Sequence, residues 1–105
     1  MKIELKINRD QLNAINTIMA PLDVINFQSL PRSGKSNLAA CVELRHKFLQ
    51  KSIKQQHNHK PFKISIPYYL AEHLLHYLSN FKGNLSPFDA NAGLIIINQL
   101  HQKLL

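Results

Sequence analysis

Apolar and polar positions alternate at the start of the chain. Ile3, Leu5 and Ile7 are separated by Lys2, Glu4, Lys6 and Asn8. A period of two predicts a strand with one buried face. Asn8 is suited to cap the segment that follows, with Gln11 three positions on to reach back to the cap amide. Leu12, Ile15, Ile18 and Met19 then recur at helical spacing, and Pro21 ends that helix or forces a turn. Residues 21–33 carry no clean period. "LDVINFQ" fits a short helix or an extended piece equally, and Pro31, Ser33 and Gly34 mark a loop after it.

The longest predicted helix runs from about Ser36 to Gln55. Leu38, Cys41, Val42, Phe48, Leu49 and Ile53 fall on one broad face, and Lys47, Lys51 and Lys54 on the opposite one. Arg45 stands amid the apolar stripe, so it must reach water or pair with a carboxylate. "QQHNHKP" breaks the helix. "FKISI", 62–66, is a second alternating strand, after which Pro67 can open a helix without wasting an N–H. Leu70, Ala71, Leu74, Leu78 and Phe81 form the inner stripe of that helix. Ser86, Pro87 and Asp89 read as cap, first turn and N-terminal acid of a last helix, about Pro87 to Lys103. Apolar residues, among them Leu94 to Ile97, Leu100, Leu104 and Leu105, wrap much of its circumference. That predicts a central helix or one in a subunit interface.

The order is β-α-α-β-α-α. Two short strands cannot stand alone, so they should pair and be covered by helices. The expectation is an α+β, helix-dominated fold with two short paired strands and about four helices, in a single domain spanning 1–105. An internal echo divides the chain at about residue 58. Shifted by 59 positions, Leu5, Ile7, Leu12, Ile15, Met19 and Leu22 overlie Ile64, Ile66, Ala71, Leu74, Leu78 and Phe81. Shared binary patterning explains this as well as duplication does. Unequal exposure of the two strand edges leaves dimerisation by strand pairing open.

Composition adds less than pattern. The chain has 105 residues, 45% apolar and 18% charged, as in an ordinary globular domain. Cys41 is the single cysteine, so no internal disulfide forms. The N-terminus lacks the continuous apolar stretch of a secretion signal, and no apolar run approaches a membrane span. The expected location is the cytoplasm, with no membrane contact.

Charge is more telling. The net charge is +7, and between Glu43 and Glu72 no acid occurs, whereas Arg45, Lys47, Lys51, Lys54, Lys60 and Lys63 do. That concentration suits an anionic partner, and equally a solvated helix face. With Arg32, Lys35, His57 and His59, the lysines Lys47, Lys51, Lys54, Lys60 and Lys63 make up the candidate surface for an anion or for DNA or RNA.

Catalytic motifs are weak. "SGKS", 33–36, has the Gly-Lys-Ser of a phosphate-binding loop, but Ser29 stands where its first glycine belongs and Pro31 removes an amide donor. It reads as a helix start, and no nucleotide is expected. Free amides there, with Arg32 and Lys35, leave room for some anion. His57 and His59 are loop residues separated by Asn58, with no third ligand in view. His73 and His76, with Glu72 and Tyr69, share the outer face of one helix, at a spacing other than that of a zinc protease. His46 and His101 are isolated, and Cys41 reads as a core residue. Tyr68, Tyr69 and Tyr77 could stack on bases or pack ordinarily. No cofactor, metal or enzymatic activity is expected. The expected function is an adaptor that binds itself or another protein through its helix faces; the alternative is a nucleic-acid-binding accessory protein that uses the lysine-rich segment, 45–63.

Overall fold

The computed structural model describes residues 2–24 and 32–104, and for 32–35 the backbone alone. Strand β1 (Lys2–Ile7) leads into α1 (Arg9–Met19) and a 3-10 turn (Ala20–Val24). Helix α2 (Arg32–Lys54), strand β2 (Phe62–Pro67), α3 (Tyr68–Ser79) and α4 (Pro87–Lys103) follow. This is the helix-dominated α+β order that the pattern predicts.

Local signals set most boundaries. Asn8 Oδ1 accepts from the Gln11 N–H at 2.8 Å, and Gln11 Oε1 accepts from the Asn8 N–H at 3.0 Å, closing the capping box of α1. Ser86 Oγ accepts from the Asp89 N–H at 3.1 Å, with Pro87 at the first position of α4. After Met19 the chain tightens into the 3-10 turn around Pro21 rather than breaking. Residues 25–31, most of the ambiguous segment, lie outside the described residues.

The strands pair antiparallel, with Leu5 opposite Ile64 and Lys6 opposite Lys63. Ile3, Leu5, Ile7, Ile64 and Ile66 point into the core, while Lys2, Glu4, Lys6, Lys63 and Ser65 face solvent. The core joins this inner sheet face to Leu12, Ile15, Ile18 and Met19 of α1, Cys41, Leu44 and Phe48 of α2, Leu70, Leu74 and Leu78 of α3, and Ile96 and Leu100 of α4. Helix α1 packs mainly on α4, and α2 mainly on α3. Each half of the chain therefore leans on the other. Gly93 is buried where α4 meets α1, and a Cβ there would stand 3.4 Å from Ile18 Cδ1, an ordinary van der Waals contact.

Four expectations need correction. Helix α2 begins at Arg32 rather than near Ser36, so Ser33 and Gly34 belong to its first turn rather than to a loop before it. First-turn N–H groups have no intrahelical partner in any case, so a poor helix former costs little there. Leu49 and Ile53 are not on the buried stripe: they are 37% and 68% exposed. The buried line of α2 is Cys41, Leu44, Arg45 and Phe48, and Ile53 lies about 140° around the helix from Phe48. Of the two alternatives for helix α4, the central position does not hold among the described residues. Ala92, Gly93, Ile96 and Leu100 are buried, but Leu94 is 58% exposed and Phe88 is exposed too. Phe81 lies beyond the end of α3, half-buried, with its ring centroid 6.0 Å from that of Tyr77.

Arg45 resolves the charge in the apolar stripe. Its Nη2 and Nε donate to the Asp23 carboxylate at 3.1 and 3.4 Å, and Nη1 donates to the Asn16 carbonyl. The guanidinium thereby ties α2 to both α1 and the 3-10 turn. No described helix is long and apolar enough to cross a membrane.

Candidate nucleic-acid interface

The lysine face of α2 lies alongside the outer edge of β2. Burial of Cys41, Leu44 and Phe48 fixes the rotation of the helix. Lys47, Lys51 and Lys54 then project from a strip about 60° wide and about 10.5 Å long. Lys47 Nζ donates to the Ser65 carbonyl at 2.6 Å, filling an acceptor that the β1–β2 ladder leaves free. Lys51 Nζ stands 5.8 Å from the centre of the Phe62 ring, a cation–π contact. Contacts of this kind hold the lysine stems against the sheet instead of letting them splay into water.

Between this strip and the solvent face of the sheet runs an open groove of about 450 Å³. Lys47, Lys51, Lys54 and Gln50 line it from α2, and Lys2, Glu4, Lys63, Ile64 and Ser65 from the sheet. Five lysines face one acid. Glu4 Oε2 is 4.0 Å from Lys63 Nζ, with both side chains largely in water. On the same sheet face Lys6 is directly opposite Lys63, a like-charge pair that destabilises a two-stranded sheet. The described lining thus concentrates positive charge on one side of the molecule, the arrangement that attracts a polyanion.

The outer edge of β1 is held differently. Gln99 of α4 accepts from the Lys6 N–H and donates to the Lys6 carbonyl, each at 2.9 Å. A strand arriving on this edge would have to displace that pair.

Four of the nine candidate residues, Lys47, Lys51, Lys54 and Lys63, come together in the groove. His57, His59 and Lys60 do not line it. They are exposed in the connection from α2 to β2, which is held by Asn58 Nδ2 donating to Gln55 Oε1 at 2.7 Å and by the Lys60 N–H donating to Asn58 Oδ1 at 3.0 Å. Arg32 and Lys35 belong to the first turn of α2, which puts the Lys35 backbone about 18 Å along the axis from Lys47. Their side chains lie outside the described residues. An anion held at that helix start would therefore be separate from the groove. Sequence reasoning missed Lys2 and Glu4. The alternation of β1 put both on the outer face, but nothing local says that α2 runs beside that face.

The other polar clusters have structural partners. His73 donates Nδ1–H to Asn37 Oδ1 at 2.6 Å, linking α3 to α2. His76 contacts Asn80 one turn on. Among the described residues no group of three or more His, Cys, Asp or Glu could hold a metal ion. Cys41 is fully buried, its thiol 3.6 Å from the His73 carbonyl, and burial pushes its pKa up to about 11. A thiol in that state is not a nucleophile near neutral pH. Tyr77 donates to the Ile18 carbonyl at 2.8 Å, and Tyr68 to the Leu104 carbonyl at 3.3 Å. Burial first, then the neighbouring Cys41, pushes Tyr77 up to about 12, against a lowering by Arg45. Tyr69 is exposed, but beside Asn37 and His73 rather than in the groove.

Comparison with known protein families, with characterised proteins and with solved structures finds no match, so the groove's own chemistry is what bears on function.

Proposed function

We propose that this protein binds nucleic acid through its phosphate backbone, in the groove between α2 and the sheet, and acts as a binding protein rather than an enzyme. The observation that carries this reading is the convergence of Lys2, Lys47, Lys51, Lys54 and Lys63 on one groove, with Glu4 the single acid among its described lining residues. Lysines neutralise backbone phosphates by releasing condensed counterions, so affinity falls steeply with salt. Fluorescence anisotropy with short DNA and RNA at low and high salt tests it. Binding at low salt that is lost on replacing Lys47, Lys51 and Lys54 with Gln, in a variant of unchanged circular dichroism, supports the reading. No binding at low salt, or binding to anionic vesicles alone, overturns it.

A second reading is an adaptor that associates with itself or with another protein. It is supported by an apolar cleft of about 230 Å³ lined by Ile18, Leu78, Phe81, Leu85, Gly93 and Ile97, with Leu94 exposed at its side. Exposed apolar surface of this kind marks interaction sites. Gel filtration with light scattering tests it. A strictly monomeric species that captures no protein partner argues against it.

A further inference from the structure

Resting on the nucleic-acid reading above, we infer that the groove takes the backbone of a double helix in preference to a single strand, and does so without reading bases. The lysines come from two elements. Lys47, Lys51 and Lys54 stand on α2, while Lys2 and Lys63 stand on the sheet, and all five line the same groove. A duplex presents two rows of phosphates, one on each side of a minor groove about 6 Å wide. A single strand presents one row. A duplex also carries a charge per about 1.7 Å of axis, against about 3.4 Å for one strand. A site that works by charge alone therefore favours the duplex.

Nothing in the described lining compensates a single strand. Proteins that hold single strands stack the bases on aromatic rings, at about 1–3 kcal/mol per base. The described lining has no aromatic residue. Phe62, the ring beside it, is half-buried and already in contact with Lys51.

Base readout is blocked by the same packing. A major groove about 12 Å wide admits a helix about 10–12 Å across. The lysine strip of α2 lies beside β2 and is joined to it by side chains, with Lys47 bonded to the Ser65 carbonyl and Lys51 against the Phe62 ring, so helix and strand would have to enter together. That body is too wide. The lysines meet phosphates on the rim and never the base edges.

The test is anisotropy at about 50 and 200 mM salt with two unrelated duplexes of about 20 base pairs and a thymidine single strand of the same length. The expected result is a duplex bound at least about tenfold tighter at the lower salt. Its log–log salt slope should be near −3.6, for about four phosphates neutralised. The single strand should give a slope near −2, for about three. The two duplexes should agree within about twofold, since no base is read. Replacing Lys2 and Lys63 together with Gln should weaken the duplex and leave the single strand within about twofold. A single strand bound as tightly as the duplex overturns this inference and leaves the nucleic-acid reading standing. A preference of more than about tenfold between the duplexes overturns the claim that no base is read. Binding of neither form overturns both readings.

Discussion

Glu4 is the one acid among the described residues that line the groove, and its removal makes the sharpest test of where binding occurs. Glu4→Gln keeps the size of the side chain and the exposed face of β1, and deletes the charge 4.0 Å from Lys63. Both partners are largely solvated, so the pair stabilises the fold by no more than about 0–1 kcal/mol, and water screening puts the value near the lower end. The effect on binding is larger and opposite in sign. With Glu4 gone, Lys63 is free to neutralise one more phosphate, which steepens the duplex salt slope by about 0.9. If counterion release is the whole gain, affinity rises about 15-fold at 50 mM salt and about fourfold at 200 mM. The assay is a salt titration of duplex binding by anisotropy, run beside Glu72→Gln. Glu72 is exposed on α3 outside the groove lining, and its replacement changes net charge by the same amount. The expected gain from Glu72→Gln is about twofold or less, because distant surface charges are screened over a Debye length of about 10 Å. Equal gains from both variants would show that binding follows total charge rather than the groove. An unchanged slope in Glu4→Gln would show that the phosphates lie elsewhere.

Two further predictions concern the fold. Arg45→Met keeps the packing of the stem but removes the clamp on Asp23 and leaves the Asn16 carbonyl without its donor. Asp23 is about half exposed and can rehydrate, so the expected loss is about 2–3 kcal/mol by urea unfolding, and a loss under about 0.5 would refute the structural role. Cys41 should resist thiol reagents at pH 8 in the native protein and react on unfolding, because it is fully buried. Its folded pKa, about 11, lies above the ordinary value of 9.0, so its contribution is intact below pH 9 and is lost as pH rises towards 11. Tyr77, raised from 10.0 to about 12, adds a further decline above pH 10. Between pH 8 and 10.5, Cys41→Ala should lose less stability than the parent protein, by about 2 kcal/mol at most. An identical decline in both would show that the thiol does not set it.

Much of the architecture is local and was legible. Ile3, Leu5 and Ile7 alternate because a strand with one buried face requires it, and Asn8 with Gln11 closes a box whose every atom lies within four residues. Arg45 was readable as a charge in need of a carboxylate, although not that Asp23, on a 3-10 turn, would supply it. Where the pattern misled, the cause was a neighbour or its lack. Leu49 and Ile53 look like core by type, but no described element covers that side of α2. Leu94 looks buried by its company, but only one face of α4 meets α1 and α3.

The candidate site divides along the same line. The sequence alone determined that lysines crowd 47–63 and that Lys2 and Lys63 point outward from their strands, because both follow from residue order and a fixed backbone period. Only the tertiary structure decided that α2 lies beside β2, so that Lys2 joins the lysines of the helix while His57, His59 and Lys60 stay outside. That outcome depends on Cys41, Leu44 and Phe48 seating α2 in the core it shares with α3 and the sheet. Contacts between residues far apart in the chain leave no period for a sequence to display.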